Sequence, residues 1–317
     1  MDYIFSVRSV RRGAFTDEPG ATHFLAVPPG TSSPRPEHAL RKTAWFDVVF
    51  KAARHGLQDD APRGDVLFYV HGYNTPQETM LARQRLIRDG LEAKGFEGVV
   101  VGFDWPAASL ALNYLEDRLD AKFTAFRLVT EGIASFARMQ RADCFVNLHI
   151  LAHSTGAFVV REAFDDADDR PGVAASSWSV SQVMLISADI SRGSLAGDSA
   201  KSSSLYRHCV RLTNYHNPFD DVLSLSNVKR IGVSPRVGRI GLPHDAPPKA
   251  VDVNCGPYFD ANRAGFAGLK FAAHTWYFHD SVFLEDVLHT IRGDVDRSEI
   301  VTRAGMPGAL ALRRAVV

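Results

Sequence analysis

The chain has 317 residues, 45% of them apolar and 23% charged, which is enough to bury a sizeable core and excludes wholesale disorder. Lys plus Arg equals Asp plus Glu at 36 each, so the chain lacks the basic excess with which nucleic-acid binders collect phosphate contacts. The three cysteines, Cys144, Cys209 and Cys255, stand far apart with no C-x-x-C pair, which excludes a disulfide framework or a cysteine zinc site and fits a reducing compartment.

The segment Met1 to Arg8 has no basic stretch followed by a long apolar one, and no apolar run approaches the roughly 20 residues needed to span a bilayer. A soluble, cytoplasmic protein is expected. Tyr3–Val10 and His23–Val27 are rich in β-branched and aromatic residues and read as two strands of a hairpin. A Pro/Ser-rich loop follows at Gly30–Glu37, then a helix over His38–His55 that stops at Gly56.

From there strands and helices alternate. Val66–Val70 and Val99–Phe103 read as buried strands, and Asn147–Leu151, Val183–Ile186 and Val210–Thr213 as three further strands. Gln77–Ala93, Asn113–Arg138, Gly156–Asp166 and Val282–Ile291 read as helices. The pattern implies an α/β fold: a mostly parallel central sheet with helices on both faces and antiparallel strands at the N-terminus. One domain over residues 1–317 is expected, with its core at about 64–293. Residues 231–268, rich in Gly, Pro and Asn, read as a loop excursion with a short strand near Val251–Val253.

In such a sheet, ligands sit beyond the carboxyl ends of the strands. After the third strand comes Ala152-His153-Ser154-Thr155-Gly156, followed by an apolar helix. This is similar to the nucleophile elbow G-x-S-x-G, with Ala152 at the first position. The bend must hold Ser154 strained and exposed, and bulky neighbours would collide within it. The competing reading is a Ser that merely caps a helix.

After the first buried strand comes His71-Gly72-Tyr73-Asn74. An oxyanion hole needs main-chain N–H groups at the developing charge. Gly72 permits close approach, Tyr73 supplies one amide, and Thr155 at the head of the next helix supplies a second. His71 supports this loop, and His71, Gly72 and Trp105 are expected to line the substrate pocket. Core packing is the other reading of Trp105.

In the α/β-hydrolases, whose nucleophile elbow the Ser154 turn resembles, the order Ser then acid then His implies an acid beyond a late strand. Asp220 and Asp221 both qualify, and whichever is not catalytic is expected to cap the following helix. Asp189, after the fourth strand, is a further candidate, with a structural role as its alternative. The base falls in Ala272–Asp280, where His274, just before the closing helix, is preferred over His279.

Taken in order, His-Gly-Tyr-Asn, Trp-Pro, His-Ser-x-Gly, Ala-Asp-Ile, Asp-x-x-Leu-x-x-Ser and a late His-Thr-x-Tyr resemble the α/β-hydrolase family of bacterial esterase/lipase-like proteins. The resemblance spans roughly Val66–Ile291. It departs at Ala152, at Asp104 where a small polar residue is usual, and at an extra aromatic between His274 and Tyr277. It implies a serine hydrolase, and its acid matches Asp220. The expected triad is Ser154, His274 and Asp220, acting on a small-molecule acyl ester with no metal or cofactor. The rival is the same fold without catalysis, used as a binding module. A nucleotide-binding protein is disfavoured by the lack of G-x-x-x-x-G-K-[ST] and G-x-G-x-x-G.

Overall fold

Val66 to Val70 have no exposed surface, as an unbroken apolar run requires of a strand covered on both faces. They belong to the central sheet of the computed structural model, which describes residues 1–58, 61–107, 124–137, 145–169, 171–174, 178–228, 234–306 and 308–315. Among the described residues twelve strands join in one sheet. The N-terminal hairpin is β1 (Asp2–Arg11) and β2 (Ala14–Val27), followed by β3 (Ala39–Leu40). Next come β4 (Arg54–Gln58), β5 (Ala61–Val70), β6 (Val99–Asp104), β7 (Phe145–His153), β8 (Val180–Ile186) and β9 (Cys209–His216). The far edge holds β10 (Ala250–Asn254), β11 (Arg303–Ala304) and β12 (Leu310–Leu312).

The sheet order is β11-β12-β10-β9-β8-β7-β5-β6-β1-β2-β3, with β4 beside β5. From β12 across to β1 every neighbouring pair is parallel. Among the described strands antiparallel pairing is confined to β1–β2, β2–β3, β4–β5 and β11–β12. Side-chain alternation along β5 divides the core. Val66, Phe68 and Val70 face one apolar cluster, and Leu67 and Tyr69 face the other.

The first cluster is closed by Trp45, Phe46, Val49 and Phe50 of α1 (Lys42–Ala53), and later by the apolar stripe of α3 (Thr155–Asp168). The second is closed by Met80, Leu81, Ile87 and Leu91 of α2 (Gln77–Glu92). Two further helices, α4 (Ala200–His208) and α5 (Asp221–Val228), precede α6 (Ser281–Arg292), which also packs on the second face. Asp280 caps α6, accepting Phe283 N–H at 2.7 Å.

Several sequence expectations change in detail. The helix expected over 113–138 lies outside the described residues at 113–123 and 138; its 124–137 part is helical, with a π-helical stretch at Leu128–Ile133. The excursion expected at 231–268 is built into the sheet. The strand expected there is β10, which pairs parallel with β9 over five residues, and Gly256–Ala261 forms a short helix. Residues 231–233 of that segment lie outside the described residues.

Candidate functional site

The carboxyl ends of β5, β7 and β9 deliver three loops to one rim. Ser154 sits between β7 and α3 with φ +56° and ψ −124°, a conformation that an L side chain adopts only under constraint. Its N–H donates to the Ile186 carbonyl at 3.0 Å, and its carbonyl accepts from Asp189 N–H and Ala157 N–H, both at 3.1 Å. Gly156 makes the bend possible: a Cβ there would lie 2.4 Å from the His71 carbonyl oxygen and 2.5 Å from that of Val70. Gly72 is also confined, since a Cβ on it would lie 2.8 Å from Ser154 Cβ and 3.2 Å from His153 Nδ1. The His71-Gly72 loop and the Ser154 turn are thus in contact. Ala152 fits without exposure, its methyl inside the core.

His274 lies in a short helix, Ala272–Thr275, entered through Phe271 in the left-handed region at φ +55°. Its Nδ1 meets Asp220 Oδ2 at 2.7 Å, with the carboxylate fully buried and the imidazole nearly so. The turn is pinned at two carbonyls. Asn217 Nδ2 donates to that of Ala273 at 2.8 Å, and His153 Nε2 lies 2.9 Å from that of His274. The rings of His153 and His274 are 4.6 Å apart, so the residue preceding Ser154 packs on the imidazole that Asp220 holds. Burial, and next the charge of His274, push the His153 imidazole well below its ordinary value, so it stays neutral.

The alternates fall elsewhere. Asp221 is exposed at the start of α5. Asp189 sends its carboxylate to the Arg236 guanidinium, Oδ1 to Nε 3.1 Å, while its amide supports the Ser154 turn. His279 is exposed at the end of the 276–279 turn. The expected division between a capping and a pairing aspartate is corrected: Asp220 does both, because its Oδ1 accepts Leu223 N–H at 3.1 Å while Oδ2 faces His274.

The expected pocket lining is also revised. His71 and Trp105 have no exposed surface and stack at 5.4 Å with 10° between planes, so they back the loop and do not line an open pocket. Trp105 N–H donates to His71 Nε2 at 3.2 Å, and the indole N–H donates to the His71 carbonyl at 2.9 Å. Behind them lies Asp104, fully buried. Its partners are Ser6, Arg8 and Gln77, none of which the sequence reading singled out. The available signal was a charge closing an all-apolar strand, which demands a buried counter-charge. Burial pushes the Asp104 carboxyl up, but the Arg8 guanidinium beside it outweighs this and holds it well below the usual range.

A cavity of about 330 Å³ opens at the opposite, amino edge of the sheet, lined by His55, Asp65, Asn147 and Arg292 among others. None of the rim residues lines it. Among the described residues no cluster of His, Cys, Asp and Glu is placed to hold a metal ion, and no helix is long and apolar enough to cross a membrane.

The family model described as "Alpha/beta hydrolase of unknown function" (DUF900) matches residues 51–251, a stretch containing His71, Gly72, Ser154 and Asp220 but ending before His274. No curated protein matches the chain. Among solved structures, a candidate cell surface hydrolase from Lactobacillus plantarum WCFS1 is 11% identical, with 73% of this chain and 91% of that one covered and a TM-score of 0.35. A cutinase-like protein from Cryptococcus sp. is 15% identical, with 75% and 96% covered and a TM-score of 0.35. Aspergillus fumigatus lipase B is 15% identical, with 54% and 42% covered and a TM-score of 0.31. These likenesses are too distant to carry substrate or mechanism to this chain.

Proposed function

The chain belongs to the alpha/beta hydrolases of unknown function (DUF900), and from that premise we propose that it hydrolyses carboxylic esters through an acyl-enzyme on Ser154. The observation that carries this reading is the 2.7 Å contact of His274 with buried Asp220, packed against the turn that holds Ser154 at positive φ. Ser154 Oγ attacks the acyl carbon while His274 Nε2 takes its proton. The resulting oxyanion is held by the amides of Tyr73 and Thr155, the latter at the positive end of α3. Collapse breaks the bond to the leaving alcohol, which receives the proton from His274. Water, deprotonated by the same imidazole, then releases the acid and restores Ser154. Asp220 keeps the His274 proton on Nδ1, so that Nε2 faces the serine, and steadies the imidazolium. The scheme calls on no metal or cofactor.

Turnover of a short-chain p-nitrophenyl ester tests this. Ser154→Ala should lower kcat/KM by at least about 10⁴-fold with the fold intact. Turnover at the wild-type rate in that variant would remove Ser154 from the reaction.

A further inference from the structure

Arg8 reaches from the N-terminal hairpin into the loop after β6 and makes bonds that strand pairing does not require. Its Nε donates to Asp104 Oδ1 at 2.8 Å, its Nη2 donates to the Trp105 carbonyl at 3.0 Å, and its Nη1 meets Asp17. Ser6 Oγ and Gln77 Nε2 donate to the other Asp104 oxygen at 2.8 and 2.6 Å. Trp105 in turn grips His71 at ring and carbonyl. Because His71 Nε2 accepts the Trp105 amide, the ring proton sits on Nδ1, which donates to the Gly72 carbonyl at 2.9 Å. In a trans peptide the carbonyl and the following N–H point to opposite sides. Fixing the Gly72 carbonyl therefore fixes the direction of the Tyr73 N–H.

We propose that Arg8 and Asp104 are positioning residues for the oxyanion hole, acting through Trp105 and His71 on the Tyr73 amide. The inference rests on the acyl-transfer reading above. Arg8, Ser6 and Asp17 lie outside the 51–251 stretch matched by the family, so the brace ties the hairpin to that stretch. Apolar residues of similar volume often hold strands as well as a buried ion pair does, so strand pairing does not itself call for this one. A rigid, charge-assisted fork suits a part that must hold an amide to within about 0.5 Å.

Arg8→Gln, Asp104→Asn, their double variant and Arg8→Lys are compared with wild type on a p-nitrophenyl ester, with working sites counted by fluorophosphonate titration and folding followed by thermal melting. In each of the first two variants kcat per titrated site should fall about 10- to 100-fold, with KM changed by less than about twofold. The double variant should be no slower than the worse single one, since both break the same linkage. Arg8→Lys keeps the charge beside Asp104 but lacks the fork to Trp105, so its kcat should lie between wild type and Arg8→Gln. Should Arg8→Gln fail to fold, a reduced kcat in Arg8→Lys carries the test alone. Melting temperatures that fall while kcat per titrated site stays at the wild-type value overturn the brace and leave the hydrolase reading standing. A wild type that neither turns over ester nor takes up phosphonate overturns both.

Discussion

Asp220 presents one oxygen to His274, at 2.7 Å, and the other to the Leu223 amide, at 3.1 Å, so one carboxylate both holds the imidazole and caps α5. Substitution separates these duties. Asp220→Asn retains a side-chain oxygen for the cap but no longer holds the imidazole in the working tautomer. Its kcat should fall by about 10³- to 10⁴-fold while the melting temperature moves little. Asp220→Ala should lose a similar factor and, in addition, about 1 kcal/mol of stability for the missing cap, read by denaturant titration. Equal stability of the two variants would show that the cap contributes nothing.

Gly156 faces the carbonyl oxygens of His71 and Val70 at distances that no Cβ tolerates. Gly156→Ala must therefore push α3 away from β5 and move the Ser154 turn with it. Over-packing of this kind costs about 1–3 kcal/mol, and activity should fall further than stability explains. Full activity in the folded variant would mean that the bend accommodates a methyl group.

The amino-edge cluster gives a pH dependence with a definite sign. Asp65 lies 2.7 Å from His55 Nε2 and 2.9 Å from His149 Nε2. Burial pushes its carboxyl up, but the two imidazoles outweigh this and hold it at about 2, against an ordinary 3.8. A value lower in the folded state gives stability that is complete above pH 4 and is lost as the pH falls towards 2. The amount is about 2 kcal/mol. Urea titrations of wild type and Asp65→Asn should differ by that much at pH 5 and converge near pH 2. A constant difference across the range would contradict the assignment.

The C-terminal segment is tied in by a buried ion pair. Arg303 donates to Asp286 from both Nε and Nη2, the latter at 2.6 Å, and neither side chain has exposed surface. Tyr215, Thr290 and Thr302 join the cluster. Removing only one charge leaves the other buried, so Asp286→Ala should cost about 3–5 kcal/mol. A loss below 1 kcal/mol in thermal or urea unfolding would show that the site opens to water.

The parts legible in the sequence were those whose constraint is local. The Ser154 bend demands small neighbours within two residues, and β5, β6 and β8 announce their double burial by apolar runs. The contacts of His274 with Asp220, 54 positions away, and of Arg8 with Asp104, 96 positions away, leave no periodic trace. The first could be read only as a choice among neighbours, and the second was not read at all. The short β10 and β12 were faint for a related reason: pairs of two to five residues at a sheet edge are set by partners supplied from elsewhere in the chain.

A single labelling experiment bears most directly on whether Ser154 is an activated nucleophile. Native protein is treated with a fluorophosphonate and digested, and the modified residue is located by mass spectrometry, beside His274→Ala under the same conditions. We expect one adduct, on Ser154, formed in wild type and at least about 100-fold more slowly in His274→Ala, because only a serine with a partner base reacts. An unlabelled folded wild type, or labelling that proceeds equally without His274, would contradict the account.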